Sequence, residues 1–329
     1  MAKIFKRVDA NELGFTYKND LVPTFVNLDP RLIQKSKLTL SEGQQMESPC
    51  LVCSEAFCMN SAVDQDVFEP LKISQSEALC PVDALEINEA KLNIGKDCIS
   101  CGLCIVSCPL GALSFDENYN VCVSNSREEL IETDKRVETS KYSIEYSTAF
   151  SVENETLLRK VVSGINNSNS RTSVVNSLVA KSLSKKNVPT YLTRQGDVNL
   201  RMDAISKVEE TFYLIEIEVL ANLDSPRDIL DDVAVFCSRY KVEKSKVVGV
   251  IVLAELPNKR TEYWELISDI QKVIGLKIVT IPISALLVLL WNRAYLKIDD
   301  YCLDHSNTSA RGAIEAALGR KINLPDNCN

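Results

Sequence analysis

The run Cys98, Cys101, Cys104 and Cys108-Pro109, with the spacing C-x2-C-x2-C-x3-C-P, constrains this chain more than any other feature. Three closely spaced thiolates on one loop can hold three corners of a cubane iron–sulfur cluster. The fourth cysteine is carried away by the turn that follows and ligates a second cluster. Pro109 helps send the chain in that direction, and Gly102 leaves room for backbone beside inorganic sulfide.

A second, looser set precedes the run. Cys50, Cys53 and Cys58 give C-x2-C-x4-C, and Cys80-Pro81 follows after an insertion at residues 59–79. By the same crossed rule, Cys80, Cys98, Cys101 and Cys104 hold one cluster, and Cys50, Cys53, Cys58 and Cys108 hold the other. Nine of the twelve cysteines lie between Cys50 and Cys122. Thiols grouped in this way point to metal ligation rather than a disulfide framework. Zinc is the alternative, but zinc sites favour paired knuckles and often histidine. The start, MAKIFKRVDANELGF, has no apolar stretch behind its positive charge, so no secretory leader is expected and the cytoplasm is the expected compartment. Cys122 and Cys237 read as core thiols.

After Cys80-Pro81 comes LEINEAKLNI, and after Cys108-Pro109 comes LSFDENYNVCV, each two short alternating runs about a turn. This loop, Cys-Pro and hairpin repeat, with CPVDAL and CISCGLCIVSCPLGAL, resembles the bacterial two-cluster ferredoxins over residues 50–123. The resemblance implies an α+β ferredoxin-like domain carrying two [4Fe–4S] clusters. The spacing of the first motif departs from the family pattern. Residues 1–123 are taken as this domain with an N-terminal extension packing on it, 124–150 as a polar linker, and 151–329 as a second domain.

The second domain reads as α/β. SVENETLLRKVVSGI predicts a helix capped by Ser151, and VVNSLVAKSL a second. VPTYLT, VNLRMDAI and TFYLIEIEV read as strands. A helix from Ser225-Pro226 to Tyr240, the apolar strand VVGVIVLAEL, a helix stopped by Gly275, the strand LKIVTIPI and a final helix SALLVLLWNRAYL follow. The apolar run from Ile278 to Trp291 is too short to span a bilayer and contains Pro282, so it is expected to be buried core, with no membrane contact.

Glu216 and Glu218 share one face of TFYLIEIEV, while Tyr213, Ile215, Ile217 and Val219 fill the other. Two acids on one face of a central strand are costly unless hydrated or bound to a cation. With Asp203 on the neighbouring strand, three hard oxygen donors suit Mg²⁺ or Mn²⁺. Asp203, a gap of twelve residues, then Glu216-x-Glu218 ahead of Ser225-Pro226, resembles the PD-(D/E)XK or restriction-endonuclease-like superfamily over about residues 151–298. That resemblance implies a mixed central sheet, Asp203 and Glu216 as metal ligands, and Glu218 at the position that handles the attacking water, where many members carry Lys. Glu153 or Glu155 would complete the site from the first helix, with Gln195 and Lys207 as neighbours. The sole histidine, His305, is expected at the surface.

Net charge is −8, unevenly spread: residues 1–125 hold 10 basic and 17 acidic groups, whereas residues 151–200 hold 7 and 3. The basic window (Arg159, Lys160, Arg171, Lys181, Lys185, Lys186, Arg194) is either a phosphate-attracting stripe or a solvated helix face. Three functions follow. The first is a metal-dependent phosphodiesterase, an endonuclease or nuclease-like binder of nucleic acid, most readily DNA, in restriction, defence or repair. The second is an electron-transfer protein whose C-terminal domain binds a redox or regulatory partner, for which the acidic cysteine domain suits docking. The third is a structural adaptor.

Overall fold

A computed structural model of the protein describes residues 6–9, 24–27, 80–88, 91–107, 113–123, 154–168, 171–186, 188, 190–193, 201–219 and 223–324. Two compact units divide the chain: Met1–Phe5 with Pro30–Asn169, and Lys6–Asp29 with Ser170–Asn329.

In the first unit, β3 (Leu85–Asn88) and β4 (Lys91–Ile94) pair antiparallel, as do β5 (Leu113–Phe115) and β6 (Val121–Val123). These are the two hairpins expected from the internal repeat. Asp116 closes the second turn, its Oδ1 accepting the Asn118 and Asn120 N–H groups at 2.8 and 2.7 Å. Between the hairpins, a short helix α1 (Leu103–Ser107) follows the cysteine loop. Gly102 has φ 75°, so its place there is fixed by the left-handed backbone of the loop. A longer helix, α2 (Asn154–Asn167), also belongs to this unit, although its sequence reads as the opening of the second domain. Leu157, Leu158, Val161 and Ile165 form its buried stripe, at helical spacing.

The second unit is a mixed α/β structure around one sheet. In chain order it runs α3 (Arg171–Lys185), β7 (Thr190–Thr193), β8 (Ala204–Val208), β9 (Thr211–Glu218), α4 (Ser225–Tyr240), β10 (Val247–Leu253), α5 (Glu262–Asp269, continued by a π turn at Ile270–Ile274), β11 (Ile278–Pro282), α6 (Ile283–Trp291) and α7 (Arg311–Leu318). Strands β7, β8 and β9 are antiparallel neighbours, and β9, β10 and β11 are parallel neighbours. Two strands from the start of the chain, β1 (Lys6–Asp9) and β2 (Thr24–Asn27), extend the sheet to seven in the order β1-β2-β7-β8-β9-β10-β11. The N-terminal segment therefore pairs into this sheet, where the sequence reading places it against the cysteine domain. Nothing in a four-residue strand such as β2, which pairs with β7, announces that partner locally.

Every residue of β10 and β11 is buried, so both faces of these strands are covered, as their unbroken apolar runs require. A Cβ on Gly249 would come within 2.9 Å of Ile229 Cγ1, so glycine lets α4 lie close on β10. Pro226 opens α4 where its missing N–H costs nothing, and Gly275, at φ 67°, ends the helix after β10. All of α6 is buried, but it stops at Trp291. The expected continuation through Leu296 is a loop, and α7 is an additional helix.

Candidate functional site

Cys80, Cys98, Cys101 and Cys104 all lie among the described residues of the first unit, and none is disulfide-bonded. Cys80, Cys101 and Cys104 are buried and Cys98 is half-buried. Cys80 Sγ accepts the Ala84 N–H at 3.2 Å, a backbone donor of the kind that stabilises a cluster-bound thiolate. Burial pushes the Cys98 thiol above its ordinary pKa, and the neighbouring Cys80 adds to this, while a Ser100 backbone hydrogen bond and the Lys160 ammonium act against it. Among the described residues, no three His, Cys, Asp or Glu side chains are placed to hold a single metal ion. Three buried thiols and one half-buried thiol, from the Cys80-Pro81 turn and the 98–104 loop, are soft donors of the type an iron–sulfur cluster takes. Cys50, Cys53, Cys58 and Cys108 lie outside the described residues.

The carboxylates gather in the second unit. Ala204 pairs with Ile215 across β8 and β9, so Asp203, one residue earlier, lies opposite Glu216. Asp203 Oδ2 accepts the Ile217 N–H at 2.9 Å, and Oδ1 accepts Asn176 Nδ2 from α3 at 3.2 Å. Phe212 packs on Phe236 of α4, with ring centroids 5.5 Å apart, so the alternate side chains of β9 that include Glu216 turn toward α4. There they meet an acid that the sequence reading passed over, Asp232, which is only 4% exposed. Burial, then Asp203, Asp232, Glu218 and Asp228, push the Glu216 carboxyl up to about 9. Burial also pushes Asp232 to about 7, against the pull of Arg201, whose Nε lies 3.8 Å from Asp232 Oδ1. Asp203 is raised too, mainly by burial. Arg201 pairs in addition with Asp231. Near neutral pH, Glu216 is therefore protonated and the cluster carries less charge than its formula. Glu218 lies where its charge reaches the buried Tyr263 hydroxyl. The absence of a three-donor grouping for one metal ion among the described residues applies here as well.

No family model matches the chain. A stretch of 46 residues is 37% identical to an uncharacterized ferredoxin of Methanocaldococcus jannaschii. The chain contains a ferredoxin-like segment. The match takes in 14% of this chain and 28% of that protein, so it speaks for the segment alone.

Outside the ferredoxin-like segment, several expected site residues stand elsewhere. Glu155 is on α2, in the other unit from the carboxylates, and pairs with Arg159 one turn on at 2.8 Å. Glu153, Gln195 and Arg194 lie outside the described residues. Lys207 stacks on Phe212, its Nζ 5.1 Å from the ring centroid. The basic window does not form one stripe. Arg159 and Lys160 belong to the first unit, Lys181 and Lys186 are buried in the second, and Lys186 donates to Ala294 O at 2.8 Å. Cys122 and Cys237 are half-buried, and His305 is exposed with Nδ1 2.7 Å from Ser268 Oγ. Asp232 was legible in principle. The buried positions of α4 include Ile229, Asp232, Val233 and Phe236, and a carboxylate set into an apolar helical stripe marks an exception that needs a reason. No helix among the described residues is long and apolar enough to cross a membrane.

Proposed function

We propose that the chain is a metal-dependent nuclease, or a nuclease-like protein that binds nucleic acid, carrying two [4Fe–4S] clusters in a ferredoxin-like module. The observation that carries the nuclease half is the placement of Asp203, one residue before β8, opposite Glu216 of the antiparallel neighbour β9. It comes with the element order helix, three strands, helix, strand, the order on which the restriction-endonuclease-like resemblance rests. Asp203 is oriented in advance by Asn176 and the Ile217 amide. Glu216 holds its proton across the neutral range and must release it to become a ligand. Mg²⁺ or Mn²⁺ at Asp203 and Glu216 would neutralise a scissile phosphate and lower the pKa of a bound water. Glu218, two residues along the same face, would then accept the proton of that water. DNA is the favoured substrate, with restriction, defence or repair as the setting.

Anaerobically purified protein incubated with plasmid, linear and single-stranded DNA and with RNA, in Mg²⁺ and then Mn²⁺, tests this reading. Cleavage abolished by Asp203→Ala and by Glu216→Ala is the expected result. No binding or cleavage of any of these, with the clusters intact by absorbance, would overturn it. The likeness to a ferredoxin favours a second reading, electron transfer to a protein partner bound by the second unit. On that reading dithionite-reduced protein passes electrons to an acceptor, and both carboxylate substitutions leave the transfer unchanged.

A further inference from the structure

Helix α2 lies outside the ferredoxin-like segment in sequence, yet it is built onto the cysteine loop. A Cβ added to Gly164 would fall 2.9 Å from Ile99 Cβ and 3.0 Å from Ile99 Cα. Ile99, between Cys98 and Ser100, is itself only 4% exposed. The helix thus touches the backbone of the loop that carries three of the four described thiols, and only glycine allows that approach. One turn earlier, on the same face, Lys160 Nζ donates to Asn118 O at 2.7 Å and to Asn120 Oδ1 at 2.5 Å. Those two acceptors are in the turn between β5 and β6. Two contacts therefore fix α2 across the module: one to the thiol loop and one to the second hairpin. Leu157, Leu158, Val161 and Ile165 of the same helix are buried.

We propose that α2 is a cover for the cluster held by Cys80, Cys98, Cys101 and Cys104, and that Lys160 is a positioning residue that sets the reduction potential of that cluster but not of the other. The inference rests on the iron–sulfur half of the function above and is independent of the nuclease half. Potentials of such clusters respond to net charge, to hydrogen bonds at sulfur and to solvent exposure. An ammonium one helical turn from the Gly164–Ile99 contact favours the reduced, more negative cluster and so raises its potential. Excluding water with an apolar helix slows the attack of oxidants and water on the iron.

The test uses the full chain with its clusters, in two arms. In a potentiometric titration followed by electron paramagnetic resonance, Lys160→Gln is expected to lower the potential of one cluster, with Lys160→Arg restoring it. In air, Gly164→Leu is expected to lose one cluster severalfold faster than the parent, followed as bleaching of visible absorbance with iron analysis, while Gly164→Ala is intermediate. Lys160 is a surface residue, so its variants fold and keep the first arm decisive if Gly164→Leu does not. Potentials unmoved by Lys160→Gln, or moved equally at both clusters, would overturn the proposal. Parent protein with no bound iron would instead remove the iron–sulfur reading itself, which separates the two failures.

Discussion

The acid pair Glu216 and Asp232 holds protons that free carboxylates would have lost, and this has a thermodynamic sign. The folded pKa of Glu216, about 9, stands above the ordinary 4.5. Its contribution to stability is therefore fully present below pH 4.5 and is lost as pH rises to about 9. For one proton the slope reaches about 1.4 kcal/mol per pH unit. Lys186 acts in the opposite sense: its folded pKa of about 7 lies below 10.5, so stability is gained as pH rises between those values. Comparing Glu216→Gln with its parent cancels the lysine term. In EDTA, the Gln variant should be more stable than the parent at pH 8 by about 1–3 kcal/mol, with the difference shrinking toward pH 5. Urea titrations at a series of pH values measure it, and a pH-independent difference would show that Glu216 does not hold the proton. On the proposed nuclease reading, added Mg²⁺ should narrow the gap.

At the scale of elements, the contact between α4 and β10 is tight enough to predict a cost. Gly249→Ala puts a methyl against Ile229, which is fully buried and anchored by the helix stripe, and should destabilise the protein by about 1–3 kcal/mol. The denaturation midpoint should fall while the slope stays constant. Much at this scale was readable from the chain. The unbroken run VVGVIVL became β10, TFYLIEIE became β9, and Ser225-Pro226 and Gly275 became helix boundaries, because each signal is local: periodicity, a missing N–H, a positive φ. What was not readable depended on partners distant in sequence. No pattern in KRVD or TFVN says that the first will pair with the second and the second with β7, and the stripe of α2 fits any apolar surface equally well. The carboxylate site was half visible for the same reason. Strand alternation places Glu216 and Glu218 together, but the approach of Asp232 required knowing which helix covers that face.

At the scale of the whole chain, the sheet unit begins with β1 and β2, yields to residues 30–169, and resumes at Ser170. A truncation that removes residues 1–29 should therefore leave the thiols untouched and expose β7 as an open edge. Amide exchange at Thr190–Thr193 should accelerate, and light scattering should report self-association. An unchanged exchange pattern there would contradict the pairing of β2 with β7. This arrangement is nested: residues 30–169 are a parenthesis opened and closed inside the sheet unit. During synthesis the inner clause is complete before the outer sentence can end, because β2 must wait for residues 190–193 to find its neighbour. Residues 80–123 thus leave the ribosome well before β8 and β9, so the thiol unit can close while Asp203 and Glu216 have yet to meet.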